Sequence, residues 1–173
     1  MTPLNYALLG LIRGEPRTGY ALRKVFETTP MGNYSSSPGS IYPALKSLAK
    51  AGLVTGGSKA PYVITAAGEQ AFDAWRLHPM DEGEPIDMAL LRFAFLHDHP
   101  DRRVSLDFLK SFAMAAKARA VGLKAFMSGD MWSVLPMQSR LAVEHGLRTT
   151  EASAQWALDA WRQLAAASEE AGQ

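Results

Sequence analysis

Apolar residues at helical spacing predict three helices in the first 51 residues. Leu4, Leu8 and Leu11 recur at intervals of three or four, which is the period of one helix face. Thr18 precedes a second pattern of this kind, and a third runs over about residues 40–51. The chain is therefore expected to open with three short helices.

Two β-prone runs follow the third helix. Residues 53–55 and 62–65 are rich in β-branched and aromatic side chains, and a Gly- and Pro-containing turn separates them. Thr65 is placed to cap a fourth helix that would bury Phe72. The predicted order over residues 1–77 is three helices, a hairpin and a helix.

The remainder of the chain is predicted to be helical. Residues 78–85 are polar and bounded by Pro and Gly, which indicates a linker. Helical patterns then start at Ile86 and at Ser105, and a shorter one covers about residues 136–146. Thr149 with its neighbouring threonine is expected to cap a last, separate helix.

This order of elements is that of a winged helix-turn-helix. The expected fold class is mainly α with a small β-hairpin. We expect a winged helix-turn-helix DNA-binding domain over residues 1–77, a linker over 78–85, and an α-helical domain for dimerisation and effector binding over 86–173.

The third helix has the two faces that a DNA-reading helix needs. Ile41, Leu45 and Leu48 form an apolar inner face. The outer face is small, polar and cationic, so the helix can enter the ~12 Å wide major groove while its lysines reach phosphates. The predicted DNA-binding residues are Ser36, Ser37, Gly39, Ser40, Tyr42, Pro43, Lys46 and Lys50, with Lys59 at the hairpin tip.

Charge and composition narrow the function further. Residues 1–80 carry eight basic and four acidic side chains, whereas residues 81–173 carry ten and thirteen, which suggests that the first part binds a polyanion. The chain has no Cys, which excludes disulfides and thiolate sites. No apolar run approaches the ~20 residues of a membrane helix, and the N-terminal stretch lacks signal-peptide features. A cytoplasmic protein without a membrane partner is expected.

Five sequence blocks in order resemble the PadR family of bacterial transcriptional regulators. They are residues 6–12 (YALLGLI), 18–22 (TGYAL), 37–48 (SPGSIYPALKSL), 52–54 (GLV) and 62–68 (YVITAAG). The resemblance implies a homodimer that binds a palindromic operator in double-stranded DNA, usually as a repressor. It assigns recognition-helix roles to Ser37, Gly39, Ser40, Tyr42, Pro43 and Lys46. The wing departs from the family pattern, since Lys59 is its one cation and Ala60-Pro61 follows.

Two tyrosines have alternative interpretations. The resemblance implies that Tyr42 contacts a phosphate, while the alternative is that it packs against the hairpin. Tyr20 is expected to belong to the core and not to contact DNA.

Aromatic and Met side chains are frequent after residue 105. Trp132, Trp156 and Trp161 could line a site for a small aromatic or hydrophobic effector. The alternative, which we favour, is that they belong to the core of a helical dimer. Both hold if the effector binds at the subunit interface.

The sequence offers few other candidates for metal binding or catalysis. The segment His97-Asp98-His99 with Asp101 could bind a metal, but a helix C-terminus is the favoured explanation of these residues, so neither a metal nor a cofactor is expected. Nucleophile, phosphate-loop and dinucleotide motifs are all missing, so the chain is not expected to be an enzyme. The alternative function is that of a protein-interaction adaptor whose winged helix does not bind DNA.

Overall fold

The computed structural model describes residues 1–35, 37–57, 60–78, 80 and 83–170. The chain divides into two compact units, Met1–His78 and Pro79–Gln173, and each has its own apolar core. Among the residues described, no helix combines the length and the apolar character that a membrane span requires.

The first unit has the predicted order of elements. Its described residues form α1 (Pro3–Gly14), α2 (Gly19–Thr28), two short 3-10 helices (Pro30–Tyr34 and Pro38–Ser40), α3 (Ile41–Lys50), β1 (Val54–Gly57), β2 (Ala60–Ile64) and α4 (Ala66–Arg76). The mainly α fold class with one small hairpin is confirmed. The 3-10 helices occupy a stretch for which the sequence predicted turns.

Threonine side chains begin three of these helices. The hydroxyl oxygens of Thr2, Thr18 and Thr65 each accept a hydrogen bond from the backbone N–H three residues later. A cap of this kind contributes about 1 kcal/mol, because it satisfies an N–H that the helix leaves without an internal acceptor. The three capped helices and α3 bury one core, whose fully buried members include Leu8, Leu9, Ile12, Leu22, Ile41, Leu45, Leu48 and Phe72.

The two strands of the hairpin are longer than predicted, and a third segment of the chain pairs with β2. Val54 pairs with Ile64, and the register shifts at Gly56, whose φ is +106°. A Cβ atom on Gly56 would lie 2.2 Å from the carbonyl oxygen of Pro61, so this bulge requires glycine. Arg17 and Tyr62 exchange two backbone hydrogen bonds of 3.2 and 2.7 Å. The segment before α2 therefore adds an edge to the sheet, which the sequence did not reveal.

The described residues of the second unit form four helices: α5 (Ile86–Ala94), α6 (Arg103–Met127), α7 (Met131–Val134) and α8 (Met137–Glu170). The long helices α6 and α8 pack along each other. Their core combines Phe108, Leu109 and Phe112 with small residues. Ala113, Ala116, Ala154 and Ala157 are buried between the helices, which lets the two backbones approach closely.

The predicted break near Gly146 is wrong. Residues 137–170 form one continuous helix, and Thr149 lies inside it. The Thr149 hydroxyl donates to the carbonyl oxygen of His145 at 2.9 Å, and the Ser153 hydroxyl donates to that of Thr149 at 2.8 Å. These hydroxyls bond back onto their own helix and do not cap a new one. A single Gly costs a helix only ~1 kcal/mol, which is too little to end a 34-residue helix packed against α6.

Candidate nucleic-acid interface

Helix α3 separates its apolar and polar side chains as the sequence predicted. Ile41, Leu45 and Leu48 are buried beneath it. Tyr42, Pro43, Lys46, Ser47 and Lys50 are exposed along its outer face. Pro43 is the third residue of the helix, where no internal carbonyl would accept its backbone N–H, so proline costs no hydrogen bond there. The outer face is thus narrow at its start and cationic further along.

Hydrogen bonds among three serines fix the shape of the chain just before α3. The hydroxyl oxygens of Ser35 and Ser40 lie 2.8 Å apart, and they lie 2.8 and 2.6 Å from the carbonyl oxygen of Ser37. The backbone N–H of Ser40 also donates to that carbonyl, at 3.0 Å. The Ser40 hydroxyl is therefore used to fold the turn, while Ser37 and Gly39 are exposed beside it.

Tyr42 lies across the first residue of α2. A Cβ atom on Gly19 would be 2.8 Å from Cε1 of the Tyr42 ring, so only glycine leaves room for the ring in this position. Nearly half of Tyr42 (47%) remains exposed. The Tyr42 ring therefore packs on α2, while about half of the residue stays exposed.

Helix α2 adds polar and cationic side chains that the sequence reading missed. Tyr20 is 70% exposed, so its expected place in the core is wrong. Leu22 and Phe26 fill the buried face instead, and Arg23 and Lys24 are exposed. The helical period was the available signal, because at ~100° per residue Tyr20 lies about 160° around the helix from the buried Leu22.

Arg23 is held by a partner on its own helix. Its Nε atom donates to Oε1 of Glu27 at 2.7 Å. The hydrogen bond to Glu27 and the charge of Glu27 raise the pKa of the Arg23 guanidinium, with smaller contributions from Tyr42 and Tyr20. Arg23, Tyr20 and Tyr42 are all exposed.

The hairpin contributes little charge within its described residues. Ala60 and Pro61 are exposed at the start of β2, and Tyr62 is buried. The guanidinium of Arg17, beside this strand, pairs with Glu15 at 2.7 Å. The predicted contacts Ser36 and Lys59 lie outside the described residues.

Comparison with known proteins identifies the family. The model of the "Transcriptional regulator PadR-like family" matches residues 8–74, a segment that begins in α1 and ends in α4. Residues 8–74 therefore carry the sequence pattern of the PadR-like family of transcriptional regulators. The resemblance found in the sequence is confirmed. The members of this family are transcriptional regulators, which are not enzymes.

Similarity to known proteins is not confined to residues 8–74. The negative transcriptional regulator PadR of Bacillus subtilis is 26% identical over 145 residues, which are 79% of this chain and 80% of that protein. Its crystal structure in complex with p-coumaric acid is 24% identical, covers 94% of this chain and 95% of its own, and gives a TM-score of 0.44. Its complex with operator DNA is 22% identical, covers 93% and 98%, and gives a TM-score of 0.41.

The three tryptophans predicted to line an effector site have different surroundings in this PadR-like chain. Trp132 contacts the ring of Phe126, with centroids 6.4 Å apart. Trp156 lies edge-on to Phe112 at 5.7 Å, and Trp161 lies 5.3 Å from the amine of Lys110. Trp161 also packs against the α6–α8 core. No described ring contact joins the tryptophans, so an effector site shared by all three stays a prediction.

The predicted metal alternative finds no support among the described residues. No group of three His, Asp or Glu side chains there is arranged to hold an ion. His97 Nδ1 lies 2.9 Å from the carbonyl oxygen of Ala94, and His99 Nδ1 lies 3.1 Å from backbone atoms of Asp101. Both rings are thus engaged with the turns that follow α5.

Proposed function

We propose that this PadR-like regulator is a repressor that binds a palindromic operator as a homodimer and is released by a small aromatic or hydrophobic effector. The observation that carries the proposal is the exposed surface formed by α2 and α3. This surface, here called the α2–α3 face, comprises Tyr20, Arg23, Lys24, Ser37, Gly39, Tyr42, Pro43, Lys46 and Lys50.

The α2–α3 face has the properties of a major-groove surface. Small residues at the start of α3 allow close approach to base edges. Lys46 and Lys50 follow along the helix and would meet phosphates on one side. Arg23 and Lys24 would meet the backbone from α2, because the first helix of this motif crosses it. The acidic residue Glu27 also lies on α2, and its carboxylate is paired with Arg23.

Exposed apolar side chains in the second unit support a homodimer. Met114 and Val121 lie seven residues apart on α6 and are 71% and 67% exposed. Further large apolar side chains are exposed on α6, α7 and α8, namely Phe126, Met131, Val134, Met137, Leu141 and Trp156. Apolar surface this extensive is typical of interaction sites, and a second copy of the chain would cover it.

A dimer matches the symmetry of a palindromic operator. Two copies of α3 would read half-sites in successive major grooves, roughly 34 Å apart. The repressor role follows the relative in Bacillus subtilis, which is a negative regulator matched over 80% of its length. We also propose a cytoplasmic location, because a repressor acts where its operator is.

The proposed effector would act through the dimer. A ligand at Trp132, Trp156 or Trp161 changes DNA affinity only if it binds the DNA-competent and incompetent dimers unequally. A coupling of ~1–3 kcal/mol corresponds to a 5- to 150-fold change in operator affinity. Bacillus subtilis PadR binds p-coumaric acid, which is an aromatic compound.

Fluorescence anisotropy of labelled duplexes tests the proposal. The full chain should bind duplex from its own upstream region about 10³-fold or more tightly than a shuffled duplex of equal length. Planar aromatic compounds are then titrated while tryptophan fluorescence and anisotropy are recorded together. Equal affinity for both duplexes would contradict an operator-binding repressor, and no salt-dependent binding would favour the adaptor. Quenching of tryptophan fluorescence without release of DNA would show that the bound compound is not an effector.

A further inference from the structure

We propose that Gly19 is a positioning residue for DNA binding, because the space left by its missing side chain holds the ring of Tyr42 on the α2–α3 face. The inference rests on the proposed function, since it takes this face to be the one that contacts DNA. Gly19 itself is buried and has no side chain to offer to a ligand. It acts through Tyr42, whose ring it keeps in one place before DNA binds.

The backbone does not explain the glycine at this position. Gly19 is the first residue of α2, and Thr18 caps the helix directly before it. Among the described glycines, a positive φ occurs at Gly52 and Gly56 and not at Gly19, so a residue with a Cβ atom could adopt the same conformation. Alanine is also a better helix former than glycine. The reason for glycine therefore lies in what surrounds it.

The neighbours of Gly19 on α3 are Tyr42 and Leu45. A Cβ atom at Gly19 would lie 2.8 Å from Cε1 and 3.3 Å from Cδ1 of Tyr42, and 3.6 Å from Cδ1 of Leu45. The distance to Leu45 is an ordinary van der Waals contact, whereas 2.8 Å is too short for two carbon atoms. The conflict with any larger residue at this position thus falls on the ring of Tyr42.

The backbone around Gly19 is held on both sides. Arg17 exchanges two backbone hydrogen bonds with Tyr62 of β2, of 3.2 and 2.7 Å. The hydroxyl oxygen of Thr18 accepts a hydrogen bond of 3.1 Å from the first turn of α2. Gly19 therefore cannot retreat without breaking these bonds. An added methyl group would instead displace the Tyr42 ring, which is 47% exposed and can swing into solvent.

The position of the Tyr42 ring matters for operator affinity. Tyr42 is the second residue of α3, and a phosphate contact by its hydroxyl depends on where the ring lies. A ring already packed against α2 loses little conformational entropy when DNA binds. A displaced ring would carry the hydroxyl away from the phosphate. Because a neutral hydroxyl releases no counterion, its loss lowers affinity without changing the salt dependence.

A double-mutant cycle on the full chain tests the inference by anisotropy titrations with duplex from its own upstream region. Gly19→Ala should weaken binding about 2- to 10-fold, the range for one lost hydrogen bond. The slope of log affinity against log salt should stay unchanged. In a Tyr42→Ala background the same substitution should have no further effect, because the ring is gone. Gly14→Ala is the matched control and should bind like the unmodified chain, since nothing lies within 4 Å of its Cβ position.

A second measurement reports the ring without DNA. In NMR spectra of protein with labelled tyrosine, Gly19→Ala should shift the ring resonances of Tyr42, which Tyr42→Phe assigns, and leave those of Tyr6 in place. Circular dichroism confirms that each variant is folded. If Gly19→Ala alone does not fold, its combination with Tyr42→Ala should fold, because the added methyl group then meets no ring.

Several results would overturn the role of Gly19. They are full affinity in Gly19→Ala, an equal loss in the Tyr42→Ala background, unmoved Tyr42 resonances, or a double variant that stays unfolded while Tyr42→Ala folds. A smaller salt slope in Gly19→Ala would also overturn it, since cations and not Tyr42 would then have moved. Failure of the proposed function is distinguishable from these results. In that case the unmodified chain binds upstream and shuffled duplexes equally, and both proposals fall.

Discussion

The two units of the chain differ in how completely they bury their apolar side chains. In Met1–His78, short capped helices and a hairpin enclose a core in which Leu8, Leu22 and Leu45 are fully buried, while cations line the outside. In Pro79–Gln173, α6 and α8 bury the side chains that lie between them and leave Met114 and Val121 largely exposed. The first unit thus closes its own core and presents charge, whereas we expect the second to be completed by another copy.

The largest effect should come from placing charge on the exposed face of α6. Met114→Glu combined with Val121→Glu should weaken dimerisation more than about 100-fold, because like charges would oppose each other or be buried without partners. Operator affinity should fall with it. Sedimentation at micromolar concentration measures the effect. Leu77→Glu, at the exposed end of α4, is the control and should remain dimeric. A double variant that sediments like the unmodified chain would contradict the proposed interface.

The next effect concerns packing in the first unit. Gly68→Ala should destabilise this unit by about 1–3 kcal/mol, although alanine favours helices, because its Cβ atom would lie 2.0 Å from the carbonyl oxygen of Leu53. Gly14→Ala is the matched control, since nothing lies within 4 Å of its Cβ position. Chemical denaturation monitored by circular dichroism measures both. A Gly68→Ala protein as stable as Gly14→Ala would show that α4 does not pack this tightly.

A smaller effect is expected at the Tyr42 hydroxyl. Tyr42→Phe should weaken operator binding about 2- to 10-fold, the range for one hydrogen bond to a phosphate, without a change in stability. Tyr6→Phe is the control, because Tyr6 stacks on Trp75 at 4.2 Å in the same unit and is not part of the α2–α3 face. Unchanged affinity in Tyr42→Phe would mean that this ring serves packing alone.

The smallest effect distinguishes a capped helix from a continuous one. Thr65→Ala should cost about 1 kcal/mol, because Thr65 caps α4 with a 3.1 Å hydrogen bond from Gly68. Thr149→Ala should change stability by less than ~0.5 kcal/mol, because its hydroxyl only bonds back to His145 within α8. Thermal unfolding compares the two variants. A cost for Thr149→Ala as large as that for Thr65→Ala would mean that a helix begins at Thr149.

Local signals made the first unit predictable. Thr18 and Thr65 stand directly before helical patterns, and a Gly-rich turn marks the hairpin, so each element could be read within a few residues. The pairing of Arg17 with Tyr62 could not be read in this way, because its partners are 45 residues apart and backbone atoms make the contact. The position of Tyr20 was missed because residue type was weighed above its place on the helix.

The second unit was harder to predict because tertiary packing overrides its local signals. Gly146 and Thr149 are typical of helix ends, yet α8 continues through both. The cleft lined by Leu96, Leu106 and Leu164 has no sequence signature, since Leu164 lies about 60 positions after the other two. In the first unit, the outer face of α3 could be predicted without tertiary contacts, because the helical period alone separates Lys46 from Leu45.

The salt dependence of operator binding by Lys46→Ala tests the central claim most directly. If the α2–α3 face binds DNA and Lys46 contacts a phosphate, the slope of log affinity against log salt should decrease in magnitude by about 1. The loss should be similar on operator and shuffled duplexes, because a phosphate contact carries no sequence information. Lys110→Ala removes the same charge from the second unit and should leave the slope unchanged. An unchanged slope for Lys46→Ala, or an equal change for Lys110→Ala, would contradict the account.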